Sequence, residues 1–298
     1  MVFEGIKGIH PVGYSITGVA CIVTIVSSSY IIQLILKTKS LRISKEHIHV
    51  VILLSFYTLL CMSSLIPSTV EPDPLNPGPA CIIQGCLIQF FSLSGILWTG
   101  YIALYRLYDT IYNRSLKNYF FPLILIMLFS LFTAIFPVLI NSDDYMQDSC
   151  WCWYGGNGYY LKKKKNQDSI DLNKEHRITM YKFLFFYGIA WIVIAWIIFV
   201  FVYLIRELRK RRVEERRFSF YKYFPIILVV CFIPLTIARS FSIVNIGYSI
   251  FAAFVMRLLG FFNALAYGFN PEIKALIRAR RSYTPKLNYE QTPVASQI

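Results

Sequence analysis

Apolar positions in this chain come in long unbroken runs, and the polar ones gather between them. Seven runs stand out, at residues 12–36, 48–70, 81–105, 119–140, 183–205, 223–245 and 248–269. Each is long enough to cross a ~30 Å hydrocarbon core as a helix, which takes about 20 residues. The first five contain no Asp, Glu, Lys or Arg. Strands of a membrane barrel would alternate apolar and polar over about ten residues, and these runs do not. The pattern predicts an all-α membrane protein, a bundle of seven transmembrane helices within residues 12–270. After Pro271 the periodicity changes: Ile273, Leu276 and Ile277 fall on one face and Lys274, Arg278 and Arg281 on another. Residues 271–283 are therefore expected to form an amphipathic helix on the membrane surface. Residues 284–298 read as a flexible tail.

Composition agrees with this reading and narrows it. Of 298 residues, 56% are hydrophobic and only 15% charged, where a soluble domain carries roughly a quarter charged residues. An ordinary cytosolic enzyme, a disordered chain and a disulfide scaffold are excluded. The net charge of +14 is not spread evenly. Lys37, Lys39, Arg42 and Lys45 follow span one, and Arg106, Arg114 and Lys117 follow span three. A dense basic group at 206–222 follows span five, and the tail is basic too, whereas Glu71 and Asp73 follow span two. Basic short loops face the cytosol, which places the N-terminal residues 1–11 outside the cell. Lys162 to Lys165 depart from the rule, but they lie in a long loop whose six acids offset them. The basic charge is then a feature of one membrane face in contact with lipid, and no nucleic acid partner is expected. Residues 1–11 run straight into span one, which reads as a signal anchor.

Cys21, Cys61, Cys86 and Cys231 lie within spans and read as small core residues. Cys81, Cys150 and Cys152 fall on the oxidising side, where a disulfide is stable. A bridge from Cys81 would pin the long loop over the bundle mouth, and three cysteines leave one over. Two ionisable residues sit inside spans, Arg239 and Arg257, and no span supplies an Asp or Glu. Such residues are expensive in a membrane and commonly functional. Helical rise puts Arg239 roughly 9 Å and Arg257 roughly 13 Å below the outer ends of their spans, so the pair reads either as a site that holds an anion or as structural groups, Arg239 snorkelling to lipid headgroups and Arg257 bonding backbone carbonyls. On span three, Gly85, Gln89, Ser92, Ile96, Thr99, Ala103 and Arg106 recur at helical spacing. This stripe puts Gln89 at pocket depth and Arg106 at the cytosolic mouth. Pro67, Pro137 and Pro234 interrupt spans two, four and six as bend points. His47 and His49, at the start of span two, read as polar packing or a coupling contact.

Together these features resemble a G-protein-coupled receptor, and within that class the cyclic-AMP receptor-like (class E) group, with partial likeness to secretin and adhesion receptors. The likeness covers about residues 12–280. It rests on Phe262-Asn263-Ala264-Leu265-Ala266-Tyr267-Gly268-Phe269-Asn270, on Trp151-Cys152-Trp153, and on Cys81 with Gln84, Gly85 and Gln89. Arg106 lies 25 residues after Cys81, and Cys231-Phe232-Ile233-Pro234 echoes a sixth-helix proline motif. The resemblance implies a disulfide between Cys81 and Cys152. It also implies an anionic, nucleotide-like extracellular ligand at Gln89, Arg239 and Arg257, and coupling to a heterotrimeric G protein through Arg106, Pro234, Asn263 and Tyr267. Location in the plasma membrane follows, with no cofactor and no enzymatic activity. Two departures stand out: Tyr105 rather than an acid precedes Arg106, and the third inner loop is short. A retinal protein would need a lysine in span seven, which has none. A transporter or channel for a small anion is the alternative, though such proteins favour internal repeats and none is visible.

Overall fold

The computed structural model describes residues 2–66, 78–112, 118–141, 145–148, 151–154, 178–211, 223–240 and 246–282. Helices dominate. They are α1 (Val2–Lys37), the short α2 (Lys39–Ile43), α3 (Lys45–Ser64), α4 (Pro79–Tyr112) and α5 (Phe120–Asn141). A hairpin of β1 (Tyr145–Asp148) and β2 (Trp151–Tyr154) follows. A π-helical turn at Phe183–Tyr187 leads into α6 (Gly188–Arg211), and α7 (Tyr223–Ser240), α8 (Ile246–Arg257), α9 (Leu259–Gly268) and α10 (Pro271–Ser282) complete the chain. Among the described residues, six helical stretches are long and apolar enough to cross a membrane, and Tyr223–Ile237 supplies a shorter seventh. The fold is a seven-span helix bundle.

Burial explains the arrangement. α4 is the central helix, packed on α3, α5, α6 and the hairpin, while α1, α8, α9 and α7 close the ring. Its small residues make room for this. A Cβ on Gly95 would stand 2.8 Å from the Tyr57 ring, and one on Gly100 2.9 Å from Val193. Outward positions are as apolar as inward ones: Leu139 is 77% exposed and Ile192 72%, a surface suited to lipid and costly in water. The hairpin marks one end of the bundle, here the lid end. The basic residues around α2 and the ends of α4 and α6 mark the other, the basic end.

Several helix boundaries differ from the sequence reading. α1 begins at Val2 and α3 ends at Ser64; Pro67 and residues 241–245 lie outside the described residues. Span seven is not one helix but two, broken at Leu258. The cause is a hydroxyl from another span: Thr24 Oγ1 donates to the Arg257 carbonyl at 2.6 Å, joined by Cys61 Sγ at 3.6 Å. A side chain that enters the backbone ladder in this way interrupts a helix. The π turn before α6 has its own signature in Gly188, where a Cβ would come 2.8 Å from the Phe183 carbonyl oxygen. α10 starts as its sequence dictates. Asn270 Oδ1 accepts the Glu272 N–H at 3.0 Å, and Pro271 occupies the first helical position, where no N–H is needed. Ile273 is fully buried while Lys274 and Arg278 are exposed, so the amphipathic pattern is realised.

Candidate functional site

At the lid end, Cys81 and Cys152 form a disulfide with a Cα–Cα distance of 5.2 Å; Cys150 lies outside the described residues. The disulfide has a polar companion in Gln84, which is fully buried. Its Oε1 accepts the Cys152 N–H at 2.8 Å, and its Nε2 donates to the Ile66 carbonyl at 2.8 Å. Gln84 thus ties the lid, α4 and the end of α3 together. The sequence marked Gln84 as part of the motif that follows Cys81, but not as the partner of the lid backbone.

Beneath the lid lies a narrow cavity of about 20 Å³, walled by Trp153, Phe186, Tyr187, Leu235 and Arg257, with Ile88 and Ser92 of α4 on its other side. That is room for about one water. The π turn is what turns Phe186 and Tyr187 into the bundle. Phe186 meets Trp153 edge-on at 5.1 Å and Phe232 at 6.0 Å. Phe232 is two residues from Pro234, and Leu235 lines the cavity itself, so the proline of α7 sits beside this aromatic group.

The predicted ligand residues are placed differently from one another. Arg257 is buried and lines the cavity. Arg239 belongs to the last turn of α7, whereas Arg257 is eleven residues into α8, roughly 16 Å along it. The Arg239 side chain lies outside the described residues, as do residues 241–245 that follow α7. Gln89 is buried but does not line the cavity. Its Nε2 donates to the Thr133 carbonyl of α5 at 2.7 Å. The reason is four residues ahead: Pro137 has no N–H to offer that carbonyl, and Gln89 supplies the missing donor. Ile88 and Ser92, rotated by one helical position from Gln89, face the cavity in its place.

At the basic end the predicted coupling residues meet partners that the sequence did not announce. Arg106 is buried and donates from Nη1 to Glu46 Oε1 of α3 at 2.8 Å. The acid that Tyr105 fails to provide thus comes from another helix. Next to Glu46, His47 Nδ1 pairs with the Tyr267 hydroxyl of α9, and His47 Nε2 lies 3.2 Å from Glu272 Oε2 of α10. Asn263 is buried one turn from Tyr267. α3, α4, α9 and α10 are therefore joined by two neighbouring polar ties. His49 faces elsewhere, among Trp98, Tyr101 and Tyr105. Glu46 and Glu272 were legible only as acids in otherwise basic segments.

No protein-family model matches the chain. In sequence it is 26% identical over 295 residues to a curated Arabidopsis thaliana protein named G-protein coupled receptor 1, covering 90% of this chain and 81% of that protein. In structure it matches squid rhodopsin with a TM-score of 0.62 at 15% identity, over 95% of this chain and 89% of the other. The chain is thus a multi-pass membrane protein with a rhodopsin-like seven-helix bundle, similar in sequence to a G-protein-coupled receptor.

Proposed function

We propose that the chain is a plasma-membrane receptor that binds a small anionic, nucleotide-like molecule from outside the cell and activates a heterotrimeric G protein. One observation carries the reading: a buried arginine, Arg257, lines a lidded cavity whose other walls are apolar except for Ser92 and include three aromatic side chains. A guanidinium binds a phosphate or carboxylate through paired N–H donors, and Trp153, Phe186 and Tyr187 offer ring faces to a flat ligand. Arg239, the other arginine within a span, is the second cation of this reading. The cavity is too small for such a ligand, so binding displaces a wall, and α7 is the wall that carries a proline. Its swing about Pro234 opens the basic end, where Arg106, Asn263 and Tyr267 stand behind the ties to Glu46 and to His47 with Glu272. On this reading the basic end faces the cytosol and residues 1–11 face outward. The class E resemblance supports the nucleotide-like ligand, and nothing in the bundle favours an anion transporter.

The test is ligand-dependent nucleotide exchange on a co-reconstituted heterotrimeric G protein, screened first with small nucleotide anions. Arg257→Ala removes one side of a buried charged contact and is expected to weaken the active anion by roughly thirty-fold or more, from ~2–5 kcal/mol. Arg257→Lys restores only part, because the planar fork is lost. Arg106→Ala abolishes exchange while leaving ligand affinity within a few-fold. Wild-type affinity in both Arg257→Ala and Arg239→Ala overturns the anion site.

A further inference from the structure

A second, larger cavity lies at the basic end, on the outer side of the bundle between α7 and α9. It measures about 520 Å³ against about 20 Å³ for the lidded one, within the size range of small-molecule sites. Its walls are Ile227 of α7, Phe262, Leu265 and Ala266 of α9, Phe269 just beyond it, and Lys274 of α10. Its direction is fixed by what is buried around it. Asn263 and Tyr267 of α9 face the bundle interior, whereas Leu265 and Phe269 are 47% and 53% exposed. On α7 the neighbouring Ile226 and Val230 are exposed as well. The groove therefore opens sideways, onto the apolar surface that a bilayer covers. Its charge lies at one end only. The Lys274 ammonium stands 4.9 Å from the centre of the Phe269 ring, at the groove mouth where the chain leaves α9 for α10. Arg278, one turn further on the same exposed face of α10, adds a second cation. Glu272, the acid of this helix, is directed instead to His47.

We propose that this groove holds one anionic phospholipid of the adjoining leaflet, with an acyl chain between α7 and α9 and its phosphate at Lys274. The apolar walls match a hydrocarbon chain, and the cations sit where α10 runs along the headgroup level. A free anion would find one lysine and a greasy slot; a soluble helix would have to enter from the membrane side. The site does not depend on the receptor reading, which concerns the other face of α9.

The test is native mass spectrometry on the full, delipidated chain, titrated with phosphatidylserine and with phosphatidylcholine of the same acyl chains. One tight phosphatidylserine adduct is expected, preferred about five-fold, the ratio that one interfacial basic residue's ~1 kcal/mol corresponds to. Lys274→Glu, an exposed change, removes the preference; Lys274→Arg keeps it. In liposomes, phosphatidylserine with a photoreactive acyl chain is expected to label residues 262–269 above the exposed apolar face of α5. Equal adducts of the two lipids, a preference untouched by Lys274→Glu, or labelling no stronger on α9 than on α5 overturns the proposal and leaves an ordinary lipid annulus.

Discussion

The contact between Gln89 and Thr133 allows a test of how a membrane helix tolerates a proline. Gln89 and Thr133 are both buried, and the amide meets the carbonyl at 2.7 Å. Pro137 withholds the N–H that this carbonyl would otherwise accept within α5. Replacing Gln89 by Leu keeps most of the volume and removes the donor. The lost bond is worth ~0.6 kcal/mol on average between membrane helices, with a maximum near ~1.7. A buried carbonyl left without a donor costs ~1–3 kcal/mol. Because hydrocarbon offers no water to replace the donor, about 1.5 kcal/mol is expected for Gln89→Leu, read as unfolding free energy in mixed micelles titrated with a denaturing detergent. The decisive variant is Pro137→Ala, which returns an N–H to the helix at the right distance. In that background Gln89→Leu is expected to cost under ~0.5 kcal/mol, a coupling of roughly 1 kcal/mol between residues on different helices. The same loss in both backgrounds refutes the reasoning. No loss of stability in either, together with weaker ligand binding, returns Gln89 to the ligand site that the sequence suggested.

Two further outcomes follow from named contacts. Glu46→Gln weakens the tie to Arg106, in which Arg106 is 4% and Glu46 39% exposed; with the partner half in solvent the low end of a charged hydrogen bond applies, ~1.5 kcal/mol. Ligand-independent nucleotide exchange should rise roughly ten-fold, and unchanged basal exchange in a folded variant shows that the pair is not a lock. Gly260→Ala places a Cβ 2.5 Å from Thr24 Cγ2 and 2.8 Å from Tyr57 Cβ, an overpacking expected to cost ~1–3 kcal/mol. Gly268→Ala, whose Cβ meets nothing within 4 Å, is the control, and equal melting temperatures for the two variants contradict the packing described.

The seven spans were legible in the sequence because apolarity over 20 residues is a local property that the bilayer reads directly. Their interruptions were legible only when the cause was local as well. Pro137 and Pro234 announce themselves, and so does the start of α10 at Asn270 and Pro271. The break at Leu258 did not, since the hydroxyl that causes it belongs to Thr24, 233 positions away. The direction of Gln89 was lost for a related reason: helical spacing groups it with Ser92, but a carbonyl orphaned on α5 draws it aside. The partner of Arg106 was sought at position 105 and comes from position 46, brought near only by the packing of α3 on α4. Arg257 was found because an ionisable residue in a span is conspicuous anywhere. Its aromatic neighbours were not, because Phe and Tyr in this chain are too common to stand out until the π turn and the lid bring a few of them together.

Span seven connects the two ends of the molecule by the shortest covalent route. Its residue Arg257 touches the cavity with its side chain and holds Thr24 with its carbonyl. Two residues later the helix restarts as α9, a rod of ten residues, about 15 Å long, that ends beside Tyr267 and its tie to His47. A ligand pulling on Arg257 can reach that tie only if the junction at Leu258 has two arrangements that bind the ligand unequally, since equal binding shifts no equilibrium. The junction has the parts for this: a carbonyl that accepts from a hydroxyl and a thiol of two other spans, and Gly260 in close contact with Tyr57 and Thr24 just below. Packed contacts of that kind fit in one position or another rather than deform smoothly. The same reasoning separates the roles of the two prolines. The carbonyl that Pro137 leaves without an N–H is held by a fixed donor, Gln89, whereas Pro234 stands next to Phe232, in aromatic contact with the cavity wall, where a ligand bound as proposed would be felt first.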